Sequence, residues 1–370
     1  MSNWPITVTQ PFLPPLEEFT PYLREIWQTH RLTNAGPFHR RLETALAEYL
    51  GVEHIALLAN GTLALLMALK ALGLSGEIIT TPFSFVATTH ALWWSGITPV
   101  FADIDPSSLN IDPEAVEAAI TPHTTAILPV HVYGRPCDVG AIQRIADAHG
   151  LKVIYDAAHA FAVRDSGGGI TRHGNLSVLS FHATKVFTTF EGGAIVCPDA
   201  RTKQQIDLLK NFGVADEVTV LAAGINGKMN ELQAAFGLLQ LQHVDTAIRR
   251  RREIDAFYRR ALESVPGIDC PPLPPDIVWN HAYFPILVQP DYPLSRDGLY
   301  HRLRERDVHA RRYFYPLISE FPMYRGLSSA APARLPMARD VAKKVLCLPI
   351  YPALGLEDVT EIVDVIAGIG

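Results

Sequence analysis

The chain has 370 residues, of which 48% are hydrophobic and 19% charged, with a formal net charge of −6. That length suits a large core and two domains, and the acidic balance excludes a basic field for nucleic acid. The four cysteines, Cys137, Cys197, Cys270 and Cys347, are far apart and form no CxxC, which argues against a disulfide framework and against a zinc or other metal site.

The opening MSNWPITVTQPFLPP has no basic n-region and its apolar residues are broken by prolines, so it is not read as a signal peptide. Leu16 to Trp27 predicts a short helix, and TNAGP at 33–37 a loop. Residues 38–50 predict an amphipathic helix with Leu42, Leu46 and Leu50 on one stripe, ended by Gly51. The longest apolar tract, Ile55 to Leu74, is interrupted by Asn60, Gly61 and Lys70, so it is not a membrane span. A cytoplasmic protein is expected.

Strands and helices then alternate. Strands are predicted at 54–58, 77–81, 98–103, 126–131, 152–156, 177–181 and 194–197, and helices at 62–73, 84–95, 112–119, 138–149 and 200–211. Short β-rich runs separated by helical patterns predict βαβ units and a mainly parallel sheet. Residues 231–260 predict one or two long helices, with the arginine run 249–252 as a solvated face. PPLPP at 271–275 reads as a stiff spacer. A smaller α+β segment follows, with a strand at 283–288 and helices at 296–305, 336–345 and 357–367. The domain division is drawn at 1–245 and 246–370.

Chemistry concentrates in SVLSFHATKVFTTFEGGAIV, residues 177–196. A buried-strand run ends at His182, and Lys185 follows before Gly192 and Gly193 turn the chain into a second apolar run. Lys185 is either a loop lysine in water or a pocketed amine of lowered pKa able to form a Schiff base. Upstream, KVIYD ends a strand in Asp156, where an acid faces the crevice in which α/β folds bind ligands. An amine for a Schiff base and an acid for a pyridinium nitrogen make the pyridoxal phosphate arrangement. Asn60-Gly61-Thr62, between a strand and a helix, supplies a helix N-terminus suited to the phosphate.

With these residues in place the chain resembles the DegT/StrS-type nucleotide-sugar aminotransferases, pyridoxal phosphate enzymes of the aspartate aminotransferase fold (fold type I). The resemblance is carried by 36–51, by TTPFSFVATTHAL at 80–92, DAAHA at 156–160, SFHATK and FEGGAIV within 180–196, NGKMNELQAAFGLLQL at 226–241, and LCLPIYPAL at 346–354. It implies that Lys185 carries the cofactor and that Asp156 binds its ring nitrogen. Gly61, Thr62 and Ser180 match phosphate-binding positions, Phe85 the aromatic residue on the ring, and His159 the position near the ring hydroxyl. Asn226 matches an asparagine that crosses a homodimer interface to the partner's cofactor phosphate, and Lys228 a basic position near that phosphate or the substrate. Tyr313 and Tyr315, with Arg311 and Arg312, are candidates for the sugar site.

The implied reaction is transfer of an amino group from L-glutamate to a keto-sugar nucleotide. The stretches ITVTQPFLPPLEEF and LPVHVYGRPCDV look most like the branch acting on dTDP-4-dehydro-6-deoxy-D-glucose, for O-antigen synthesis. Amination of a 3-keto sugar nucleotide is the runner-up, and a non-catalytic cofactor-binding regulator is the alternative from another class. A related branch, which catalyses C3 dehydration, carries histidine at the lysine position, and Lys185 argues against it.

Overall fold

The computed structural model describes residues 5–368. Its centre is a seven-stranded sheet in the order His54–Leu58, Gly193–Cys197, Leu176–Ser180, Lys152–Asp156, Thr124–Leu128, Glu77–Thr80, Thr98–Phe101. All neighbours run parallel except Gly193–Cys197, which is antiparallel to both of its partners. Each of the seven predicted strands is present. The one predicted at 126–131 lies at Thr124–Leu128 instead, since Pro129 follows and has no N–H for the ladder.

The helices are α1 (Leu16–Thr29), α2 (Pro37–Leu50), α3 (Gly61–Ala71), α4 (Ala87–Trp94), α5 (Pro113–Ala118), α6 (Val139–His149), α7 (Ala200–Leu209), α8 (Glu231–Leu262), α9 (Arg296–Glu305), α10 (Pro336–Lys344) and α11 (Leu356–Ala367). Side chains alternate across the sheet, as a two-residue period requires. On one face Leu179, Ala194 and Val196 pack with Leu42, Leu46 and Leu50 of α2 and with Phe236 and Leu239 of α8. On the other, Val178, Ile195 and Cys197 pack with Ala64, Leu65 and Ala68 of α3. Strands covered on both faces read as unbroken apolar runs, which is why the sequence shows them.

One helix of 32 residues, α8, spans 231–262. Asn230 and Gln233 close a capping box at its start, satisfying two otherwise unpaired N–H groups. Its first half belongs to the core just described, whereas Ile254, Tyr258 and Leu262 belong to a second core with Phe284, Ile286, Leu346, Leu348 and α11. Ile6 joins that second core, and Ile6–Thr7 pairs in parallel with Val308–His309.

Two expectations are corrected. The helix predicted to 345 stops at Lys344, and Val345–Leu348 is a strand paired antiparallel with Phe284–Val288. A fully buried apolar run of four residues has no periodicity that separates strand from helix. The arginine run is not wholly solvated either: Arg251 is buried, and its guanidinium donates to the Ile350 carbonyl at 2.7 Å. No helix among the described residues is long and apolar enough to cross a membrane.

Candidate active site

The site lies at the carboxyl ends of the parallel strands, against Tyr283 and the segment 311–314. It opens as a cavity of about 740 Å3 lined by Gly61, Thr62, Ser84, Phe85, Thr88, Asp156, His159, Ser180, Lys185, Tyr283, Arg311, Tyr313 and Phe314, among others.

One wall is the start of α3. Strand His54–Leu58 ends, Asn60 adopts extended backbone, and its Oδ1 accepts the Leu63 N–H at 2.8 Å. That cap satisfies one helix donor and leaves the first N–H groups, of Gly61 and Thr62, facing the cavity as an anion seat. Two glycines make the seat possible. A Cβ on Gly61 would stand 3.0 Å from Ser180 Cβ, and one on Gly193 would stand 2.6 Å from the Asn60 carbonyl. Ser180 thereby brings its hydroxyl up to the same turn.

Asp156 ends strand Lys152–Asp156 and is buried. Its Oδ2 accepts the Thr88 hydroxyl at 2.8 Å and its Oδ1 the Ala158 N–H at 3.0 Å. Burial pushes the carboxyl upward from its ordinary pKa, opposed by these two donors and by the Lys185 ammonium.

Lys185 stands on the turn that follows strand Leu176–Ser180. Its N–H donates to the His182 carbonyl at 2.9 Å, and the Phe181 carbonyl accepts from Thr189 N–H and the Thr188 hydroxyl. The amine reaches into the cavity and donates to Tyr283 Oη at 3.4 Å. Desolvation lowers its pKa to about 8, against the pull of Asp156, which raises its free-base fraction near neutral pH.

His159 is buried, and its Nδ1 accepts the Tyr133 N–H at 3.2 Å. Accepting there fixes the proton on Nε2 in the neutral ring. Burial first, and the Lys185 charge second, hold the imidazole well below its ordinary pKa. The result is a neutral N–H donor on the cavity wall. Phe85 lines the same cavity with more than half of its surface exposed, an open apolar face.

These parts fit pyridoxal phosphate: an anion seat that any Cβ at 61 or 193 would crowd, a buried carboxylate, an amine of lowered pKa, a neutral imidazole donor and an open aromatic face. The seven expected residues Gly61, Thr62, Phe85, Asp156, His159, Ser180 and Lys185 converge here, as does Tyr313. Asn226, Lys228 and Tyr315 do not line the cavity. Asn226 is exposed, and Lys228 donates to Asn211 Oδ1 at 2.7 Å with its amine 5.0 Å from the Phe212 ring centroid. The Tyr315 ring lies against the guanidinium groups of Arg296 and Arg312.

Sequence reasoning missed Ser84, Thr88, Tyr283 and Phe314. Thr88 sits within TTPFSFVATTHAL, three residues after Phe85, so a helical spacing from that residue could have found it. Tyr283 is 98 residues from Lys185 and had no local signal.

The profile of the DegT/DnrJ/EryC1/StrS aminotransferase family matches residues 16–367. A Shigella dysenteriae protein named dTDP-4-amino-4,6-dideoxy-D-glucose transaminase is 55% identical over 362 residues, covering 98% of each chain. An Escherichia coli protein of the same name is 53% identical over 371 residues, covering 100% of each. Among solved structures, DesI in the presence of its TDP-sugar product superposes with a TM-score of 0.94 at 37% identity, covering 99% of this chain and 93% of that one.

Proposed function

The chain belongs to the DegT/DnrJ/EryC1/StrS aminotransferase family, and on that premise we propose that it transfers the amino group of L-glutamate to dTDP-4-dehydro-6-deoxy-D-glucose, giving dTDP-4-amino-4,6-dideoxy-D-glucose. The family's enzymes depend on pyridoxal phosphate. One observation carries the chemistry: Lys185, Asp156 and the N-terminus of α3 open into a single cavity. The names of the two relatives above 50% identity support the choice of a 4-keto sugar.

Bound pyridoxal phosphate supplies the electron sink for the carbanion formed at the amino donor. Gly61 and Thr62 N–H groups and the Ser180 hydroxyl would hold the phosphate. Asp156 would hold the ring nitrogen, the His159 Nε2–H the ring hydroxyl, and Phe85 one face of the ring. Lys185 Nζ takes the proton from the donor's α-carbon and returns one to the sugar carbon. A pKa of about 8 suits an amine that both accepts and gives a proton near neutrality. Tyr283, whose phenol burial keeps protonated, supports the amine at 3.4 Å. Tyr313 and Arg311, from the opposite wall, would face the sugar.

The protein would act as a homodimer. Phe212, Val214, Val218, Val220, Leu221 and Ile225 expose an apolar loop beside Asn226 and Lys228, which a second copy would cover while these two residues reach its phosphate seat. The change of core within α8 supports a boundary between 1–245 and 246–370, with Ile6–Thr7 packed on the second unit. The four free cysteines suit the cytoplasm, and the amino sugar would serve surface polysaccharide such as O-antigen.

The test is incubation with glutamate and a panel of 3- and 4-keto dTDP and UDP sugars, with products identified by NMR. Amination at C4 of the dTDP sugar is expected. Product from a 3-keto sugar alone would overturn the substrate, and cofactor binding without any turnover would overturn the reaction.

A further inference from the structure

The segment 84–88 carries Phe85, and two further side chains of it face the cavity, those of Ser84 and Thr88. Ser84 and Thr88 are both buried, and their hydroxyls stand 3.3 Å apart. Thr88 Oγ1 is 2.8 Å from Asp156 Oδ2, across 68 residues of chain. A hydroxyl has one proton to give. An ionised carboxylate only accepts, so Thr88 gives its proton to Asp156 and its oxygen accepts from Ser84.

We propose that Thr88 is a positioning residue for this reaction, whose hydroxyl, backed by Ser84, holds Asp156 as an oriented carboxylate able to pair with a protonated pyridine nitrogen. The inference rests on the function proposed above. Its physical need is plain. A carboxyl this buried drifts toward its neutral form, and a neutral acid does not stabilise a pyridinium. Lys185, Tyr283 and Cys137 act on it electrostatically and His159 shares its cavity, with Lys185 the one cation among these. Two donors hold the anion in place, and the Ala158 N–H belongs to the backbone. Among the described residues Thr88 is the single side-chain donor to Asp156. The aromatic face and the support for the acid thus come from one short stretch, so moving that stretch would move both.

The test compares Thr88→Val, which removes the hydroxyl at nearly constant shape, with Thr88→Ser, which keeps it. Full-length protein carrying 13C-labelled aspartate reports the Asp156 carboxyl titration without cofactor, assigned through Asp156→Asn. The same proteins loaded with 15N-labelled pyridoxal phosphate report protonation of the ring nitrogen. In Thr88→Val the Asp156 titration should move up by about one pH unit, the size of one hydrogen bond to a charged group, and the ring nitrogen should lose proton occupancy at pH 8. Thr88→Ser should restore both. Unchanged carboxyl and ring-nitrogen signals in a Thr88→Val protein that binds the cofactor would overturn the inference and leave the proposed function standing. Failure of the unaltered protein to bind cofactor would overturn both. Should Thr88→Val not fold, Ser84→Ala carries the test: a smaller upward shift supports the chain of hydroxyls, and no shift overturns it.

Discussion

Replacing Gly193 with alanine asks whether the phosphate seat depends on the close approach of two strands. Gly193 pairs with Leu58 on one side and Ser180 on the other, at the foot of the turn that begins α3. An added Cβ would lie 2.6 Å from both Asn60 C and O and 2.8 Å from Gly61 N. All three are backbone atoms and cannot rotate away. Ordinary van der Waals contact begins at 3.4 Å, so restoring it would push the turn by about 0.8 Å. Overpacking of this kind costs about 1–3 kcal/mol, seen as a lower urea midpoint. The displaced Gly61 and Thr62 N–H groups would then meet the phosphate poorly. Loss of one hydrogen bond to a charged group, about 1.5–3 kcal/mol, weakens cofactor binding by about tenfold or more. Titration of cofactor-free protein with pyridoxal phosphate, followed by intrinsic fluorescence, measures it. Gly326→Ala is the control, since a Cβ there meets nothing within 4 Å. Unchanged cofactor affinity and unchanged stability in Gly193→Ala would refute the account of the seat.

Lys185→Ala should lose the visible absorption of bound cofactor and lower turnover by at least about 10²-fold, the smaller end of what a positioned proton carrier contributes; absorbance and a glutamate-dependent rate assay check it. Acid should destabilise the fold through two buried histidines. Burial first lowers His39 to about 4 and His131 to about 3, both below the unfolded value of about 6.5. Their stabilisation is therefore complete above that value and drains away as pH falls toward the folded pKa values. At pH 5 each would have given up about 2 kcal/mol, and His131→Asn, which keeps an acceptor for the Cys137 N–H but does not titrate, should flatten the slope between pH 7.5 and 5 in urea unfolding. Asp103→Ala removes a cap supplied from the far side of the chain, because its carboxylate accepts the Met337 and Ala338 N–H groups at 2.9 and 2.8 Å. The expected cost is about 1–2 kcal/mol, read as a lower thermal midpoint, and an unchanged midpoint would remove that contact from the account of α10.

Local pattern alone placed much of the site. Lys185 between two apolar runs, Asp156 at the end of another, and Asn60-Gly61-Thr62 at a strand-to-helix turn are each a residue type at a chain position whose neighbours dictate its surroundings. The seven strands were legible for the same reason, since burial on both faces demands continuous apolar runs. The two-residue strand at Ile6–Thr7 and the strand Val345–Leu348 were not, because neither is long enough to show a period. Nor could local pattern show which arginine of 249–252 turns inward, as that depends on where the Ile350 carbonyl arrives.

Only the tertiary structure decided how the acid and the amine are supported. Thr88 meets Asp156 and Tyr283 meets Lys185 across separations of 68 and 98 residues, and His159 takes its tautomer from the backbone of Tyr133. A side chain's type and spacing announce the element it stands on and the face it occupies. Its hydrogen-bond partner is set by the packing of distant segments, and that packing is a property of the folded chain as a whole.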